Sequence, residues 1–170
     1  PMFEGRYVRL YVTNPTQANQ ARTTRIYEVE LYGDKDYSTF TGSIMKTPGI
    51  EVSVNHAVNE NEEAIKAIDF DTNTKWSCRN SNDDNGYYWL EVKLPQKYRV
   101  NALELLSAEK ENASYITRDF QLQVKENDEW KDVHNVTGNQ ENLYYAKLNT
   151  PVIGDDFRLL IKKLGSANED

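Results

Sequence analysis

The feature that most constrains this chain is a period of two. Residues 25–32, R-I-Y-E-V-E-L-Y, put Ile26, Glu28, Glu30 and Tyr32 on one side and Tyr27, Val29 and Leu31 on the other. Successive side chains of a strand point to opposite faces, so strict alternation predicts a strand, stopped here by Gly33. The same signal predicts strands at residues 7–12, 51–55, 87–94, 100–106, 119–125, 130–133, 143–148 and 156–163. Pro95 closes one of these, and Asn127 with Asp128 turns the chain after another. Residues 79–86 and 107–117 are long polar loops, and only residues 62–68 suggest a helical turn. Short strands about 8–12 residues apart, with little helix, predict an all-β fold, an antiparallel β-sandwich.

Composition narrows the function. With 170 residues, 38% hydrophobic and 28% charged, the chain is long enough for one domain with a real core. No apolar run approaches the roughly 18 residues of a membrane span. The opening is not a signal peptide, and Pro1-Met2 reads as a boundary cut inside a longer protein. A formal net charge of -7 argues against nucleic acid and against an anionic membrane. A single cysteine, Cys78, excludes an internal disulfide. The 11 Tyr, 3 Trp and 5 Phe suit both a core and a polar ligand surface. Trp76, Trp89 and Trp130 lie in or beside strands and are expected in the core.

One stretch carries chemistry. In K-A-I-D-F-D-T-N-T-K-W, residues 66–76, the side chains of Asp69, Asp71, Asn73 and Thr74 offer oxygen within six residues. Acids alternating with small polar residues favour a tight turn. Hard cations such as calcium take about six to eight oxygens. The helix-flanked calcium loop is excluded, since its mid-loop glycine and its glutamate at the twelfth position are missing. Spacing alone leaves two readings, a metal-free polar turn and a cation loop. Ala64, Ile65, Ala67 and Ile68 before the loop and Trp76 after it pin it to a core, which lowers the entropy cost of binding.

A repeat is also visible. Val8-Arg9-Leu10 matches Phe157-Arg158-Leu159, and Ala18-Asn19-Gln20 matches Ala167-Asn168-Glu169, both 149 residues apart. A constant offset of about one domain length predicts tandem modules. Residues 1–33 then read as the closing strands of a preceding module, residues 34–49 as a linker, and residues 50–170 as a domain lacking its own final strand.

The motifs K-A-I-D-F-D-T-N-T-K-W, Y-W-L-E-V-K-L-P, T-R-D-F-Q-L-Q-V, D-E-W-K-D-V, V-T-G-N and F-R-L-L-I occur in this order. Together they resemble the coagulation factor type-C, or discoidin, fold, and most nearly its family-32 carbohydrate-binding modules. The resemblance runs from about Glu51 to Lys163, and residues 6–17 and 25–33 look like the closing strands of the same family. It implies a jelly-roll, galactose-binding-like sandwich with a structural calcium. The implied ligands are the Lys66 carbonyl, the Asp69 carboxylate, the Asp71 carbonyl, the Thr74 carbonyl and hydroxyl, and the glutamate of the R-I-Y-E strand, here Glu28. That strand precedes the domain, so it must fold back, come from a neighbouring module by strand exchange, or leave an edge unpaired; fold-back is the expectation.

The implied partner is a glycan, such as galactose, an N-acetylhexosamine or a related terminal sugar. Sugars need an aromatic face and planar polar groups. Arg79, Asn80 and Asn82 in one loop, and Glu109, Glu111, Tyr115 and Arg118 in another, supply that mix, with Asn139 and Tyr144 as lesser additions. Galactose-binding relatives carry a histidine and a second tryptophan where Ser77 and Asn80 stand. Another branch has an H-A-G-A run and an asparagine where residues 105–108 and Ile116 stand. Enzyme readings find no support: His56 and His134 lie outside any metal motif, Cys78 has none around it, and no glycine loop cradles phosphate. The expected function is a non-catalytic sugar-binding module of a secreted or cell-surface bacterial glycosidase or adhesin. The alternative is a structural or protein-interaction module of the same fold that has lost the sugar site.

Overall fold

The computed structural model describes residues 3–5, 7–12, 23–34, 42–79, 86–108, 111 and 115–163. Its strands are β1 (Phe3–Gly5), β2 (Tyr7–Val12), β3 (Thr23–Asp34), β4 (Glu51–Val54), β5 (Trp76–Arg79), β6 (Tyr88–Ser107), β7 (Asp119–Glu126), β8 (Glu129–Val136) and β9 (Leu143–Lys163). Two 3-10 turns, η1 (Ile44–Lys46) and η2 (Ala64–Ala67), are the only helical elements among the described residues. The all-β sandwich expected from the alternation is the fold observed. All ladders are antiparallel except β1 against β9, which is parallel.

Two long strands hold the sandwich together. β6 was expected as two strands separated by Pro95, and β9 as two strands at residues 143–148 and 156–163. Each runs through as one element, the two pair with each other along most of their lengths, and β6 exchanges β4 for β3 midway. The first part of β6 pairs with β4, while its second part pairs with β3 and with the first part of β9. Pro95 marks the change: the β6–β9 register shifts between Lys93 and Tyr98. Proline has no N–H to give a ladder, so it falls where the ladder is interrupted.

The core follows the period of two. Tyr88, Leu90, Val92 and Leu94 of β6 alternate inward, as do Phe120, Leu122 and Val124 of β7 and Phe157, Leu159 and Ile161 of β9. Each of these side chains stabilises the fold by about 1.5–3 kcal/mol through burial. Asn127 and Asp128 both have positive φ and join β7 to β8 as the two-residue hairpin the sequence suggested.

Three expectations need correction. Trp76 is fully buried, but Trp89 and Trp130 are only partly so, and the Arg158 guanidinium lies 4.1 Å above the Trp130 ring. Trp130 is therefore a half-exposed cation–π partner rather than core. Residues 76–79 form β5, a strand the sequence reading did not include and whose last residue, Arg79, it gave to a loop. Within the segment read as a linker, η1 buries Ile44 and Met45 in the core cluster, so this part is not a spacer.

β3 contains the R-I-Y-E stretch. It lies between β6 and β5, with Glu28 opposite Leu106 and Ile26 opposite Trp76. A register shift between Ile26 and Glu28 marks a bulge. Bulges re-aim side chains, and Glu28 ends up buried.

Candidate cation loop and ligand end

The loop after η2 is shaped by its own side chains. The Asp69 carboxylate accepts the Asp71 N–H at 3.1 Å, and the Asp71 carboxylate accepts the Asn73 N–H at 2.9 Å. These two successive turns, in which an aspartate mimics backbone, explain why acids alternate with small polar residues here. The Thr74 hydroxyl lies 2.9 and 2.8 Å from the two Asp69 oxygens and 3.1 Å from the Asp71 carbonyl. Three of the oxygen groups named from the sequence thus meet at one point. Lys66 Nζ stands 3.4 Å from Asp69 and offsets part of the negative charge. The chain reaches this arrangement through Phe70, whose φ is +61°. A non-glycine residue in that region is strained and persists only where its surroundings enforce it. Phe70 packs on the core, and Lys46 Nζ lies 4.5 Å above its ring.

Glu28 faces this loop from β3. Burial pushes its carboxyl up to about 7; the Phe70 N–H pulls it down, while Asp69, Glu30 and Asp71 add repulsion. Its side chain is nearly inaccessible, yet neither carboxylate oxygen has a partner at hydrogen-bonding geometry. A buried acceptor left alone costs about 1–3 kcal/mol, and more when charged. Asp71, by contrast, is exposed, and its carboxyl is held low by the Asn73 backbone N–H and side-chain amide.

The donor set suits calcium. Among the described residues, no three His, Cys, Asp or Glu side chains form a ready-made metal cage. A cation here would depend on carbonyls and a hydroxyl beside the carboxylates, a mixture calcium accepts and softer metals do not. The buried Glu28 carboxylate would add to the negative charge of Asp69 and Asp71 there.

The other candidate end behaves differently. Asn80, Asn82 and Glu109 lie outside the described residues, and Arg79 is described only as backbone at the end of β5. Glu111 accepts a hydrogen bond from the buried Tyr27 hydroxyl at 3.0 Å and forms an ion pair with Lys75. Arg118 Nη1 donates to the Asn139 carbonyl at 3.2 Å. Asn139 is itself buried: its Nδ2 donates to Thr117 O and Glu141 O, and its Oδ1 accepts Glu141 N–H. Gly138, with φ +64°, donates its N–H to Asp119 at 2.7 Å. V-T-G-N is therefore a clasp that ties the β8–β9 turn to residues 117–119. Tyr115 is half-buried.

Two features escaped the sequence reading. Lys75 was not singled out as the partner of Glu111, since the two are 36 residues apart. His134 Nε2 lies 2.7 Å from the Tyr144 hydroxyl, and burial lowers the histidine and raises the tyrosine. His134 lines a cleft of about 410 Å³ together with Lys131, Asp132, Asn149 and Thr150. No pattern in the sequence announces this cleft, which depends on how β7, β8 and β9 pack.

Among the described residues, no helix is long and apolar enough to cross a membrane. No curated protein and no solved structure matches the chain. The family described as the F5/8 type C domain matches residues 50–169, which include the loop, β4 to β9 and the clasp, though not Glu28. Its domains are generally non-catalytic modules that bind carbohydrates or proteins, and they are typically extracellular. On that match, over more than half of its length, the chain belongs to the F5/8 type C, or discoidin, domain family.

Proposed function

We propose that this chain is a non-catalytic carbohydrate-binding module, stabilised by a structural calcium, from a secreted bacterial glycosidase or adhesin. Membership of the F5/8 type C family supports a binding role. The observation that carries the calcium is Glu28, a buried carboxylate without a partner, set against the loop of Asp69, Asp71 and Thr74. Lys66 O, Asp69, Asp71 O, Thr74 and Glu28 would hold the ion. It would supply the positive charge the Glu28 carboxylate lacks and so fasten β3 to the loop.

The sugar would sit at the loop end, near Tyr115, with Arg79, Asn80, Asn82 and Glu109 as its polar contacts. Tandem copies would raise a weak affinity through effective concentration. A second reading, a protein-interaction module, is favoured by one observation: Glu111 and Arg118 already serve internal contacts. Galactose and N-acetylgalactosamine titrations followed by amide chemical shifts separate the two. The glycan reading expects shifts around Tyr115. No response at millimolar sugar removes it, and shifts confined to His134 move the site to the cleft.

Calcium has its own test. An ion at a thousandfold its dissociation constant adds about 4 kcal/mol to stability. Chelator should lower the melting temperature by several degrees, and an unchanged melt removes the ion.

A further inference from the structure

Two strands interrupt their ladders beside the cleft that His134 lines. In β8, His134 stands opposite Leu122 and Asp132 opposite Gln123, so Val133 is an extra residue with no counterpart on β7. A bulge of this kind re-aims the side chains around it and is common next to active sites. In β9, Lys147 stands opposite Ala102 and Val152 opposite Val100, so residues 148–151 face Asn101 alone across the ladder to β6. The surplus residues bend β9, and Pro151 has no N–H to give a ladder there.

The cleft of about 410 Å³ is lined from both interruptions and falls within the roughly 300–1,000 Å³ of small-molecule sites. Its lining combines three kinds of group. Val124 and Val152 are almost fully buried and Val133 packs on the core, which gives an apolar wall. Asn149 and Thr150 add an amide and a hydroxyl within reach of solvent. His134 adds an imidazole that burial keeps uncharged at neutral pH. Of the charged groups, Asp132 accepts the Gln121 and Gln123 amides at 3.2 and 2.7 Å, Lys131 is paired with Glu129, and Glu126 adds a second carboxylate. A carboxylate has about four acceptor positions, so Asp132 keeps capacity for further donors.

We propose that this cleft binds a neutral sugar ring, as a second site that shares no residue with the loop end. A bare ion gains nothing from an apolar wall, and a wholly apolar guest would strand the polar groups. Two carboxylates beside one paired ammonium repel an anion. A sugar ring meets all three conditions. Its C–H surface covers the valines. Its hydroxyls, which both donate and accept, meet the Asp132 and Glu126 carboxylates, the Asn149 amide and the Thr150 hydroxyl. This site does not depend on the loop-end reading; each stands or falls alone.

Titrations of the full, isotope-labelled chain with galactose, glucose and mannose, each taken to high millimolar concentration, test this. The signals followed are the His134 ring, the Asn149 side-chain amide and the Thr150 N–H. We expect at least one of these neutral hexoses to move all three together and to saturate. The uronate of that hexose, the same ring with a carboxylate, should bind at least about fivefold more weakly. Asn149→Ala removes one hydrogen bond at an exposed position and should weaken binding about fivefold, with the melt shifted by less than about 1 °C. No response at these residues with any of the three hexoses, a uronate bound as tightly as its hexose, or an unchanged affinity in Asn149→Ala overturns the site. Signals near Tyr115 report on the loop end separately. Movement there without movement at His134 removes the cleft and leaves the loop end, and the reverse removes the loop end and leaves the cleft.

Discussion

The cation loop with Glu28 and the clasp around Asn139 face the same physical problem and resolve it in opposite ways. Both bury polar groups where β-strands give way to loops. In the clasp, every polar atom of the Asn139 side chain finds a partner within 3.0 Å. At the loop, both oxygens of the Glu28 carboxylate find none. A satisfied buried network rigidifies a fold, whereas an unsatisfied one stores free energy that something else can release. The clasp therefore reads as scaffold, and the loop is where the proposed cation would act.

Four changes break or sharpen this contrast. The largest effect should come from Asn139→Ala, which deprives two carbonyls and one N–H of partners. We expect a loss of roughly 4 kcal/mol in urea denaturation, equal with calcium and with chelator. A calcium-dependent loss would tie the clasp to the loop. Glu28→Gln should act with opposite signs under the two conditions. Raising a carboxyl from 4.5 to about 7 corresponds to about 3 kcal/mol, so removing the charge should stabilise the calcium-free protein above pH 7 by about that amount. With calcium the same variant should be less stable than the parent. The same sign under both conditions would show that Glu28 does not bind the ion.

The pH dependence follows from the same group. Its folded value lies above its unfolded value, so the native state holds the extra proton. Without calcium, stability should fall as pH rises from about 4.5 towards 7, by at most about 1.4 kcal/mol per unit, and then level off. The difference between parent and Glu28→Gln denaturation midpoints from pH 5 to 8 isolates this contribution. A flat difference would remove the buried charge from the account. The smallest effect belongs to Arg118→Ala, which removes one hydrogen bond to the Asn139 carbonyl, worth about 1 kcal/mol. Sugar affinity should not change; a lost affinity would move Arg118 from the scaffold into the ligand site.

Particular residues show what could be read in advance. Asp69, Asp71 and Thr74 were legible as a unit because their contacts span at most five residues. Asn127 and Asp128 were legible as a hairpin turn for the same local reason. Glu111 and Arg118 had the composition of sugar contacts, but composition does not reveal prior commitments to Tyr27, Lys75 and the Asn139 carbonyl. Trp130 looked like core because it is aromatic and in a strand, yet its ring lies half-open under Arg158.

The sequence by itself determined the strands, the acid-rich turn and the repeat at 149 residues, because alternation, turn chemistry and self-similarity are properties of neighbours along the chain. Only the tertiary structure decided that β3 lies between β6 and β5 and that Glu28 is buried with neither carboxylate oxygen at hydrogen-bonding geometry. Those outcomes depend on which strand edges and loops meet in space. Hydrogen-bonding edges are chemically alike along every strand, so their pairing is selected by the packing of the whole sandwich.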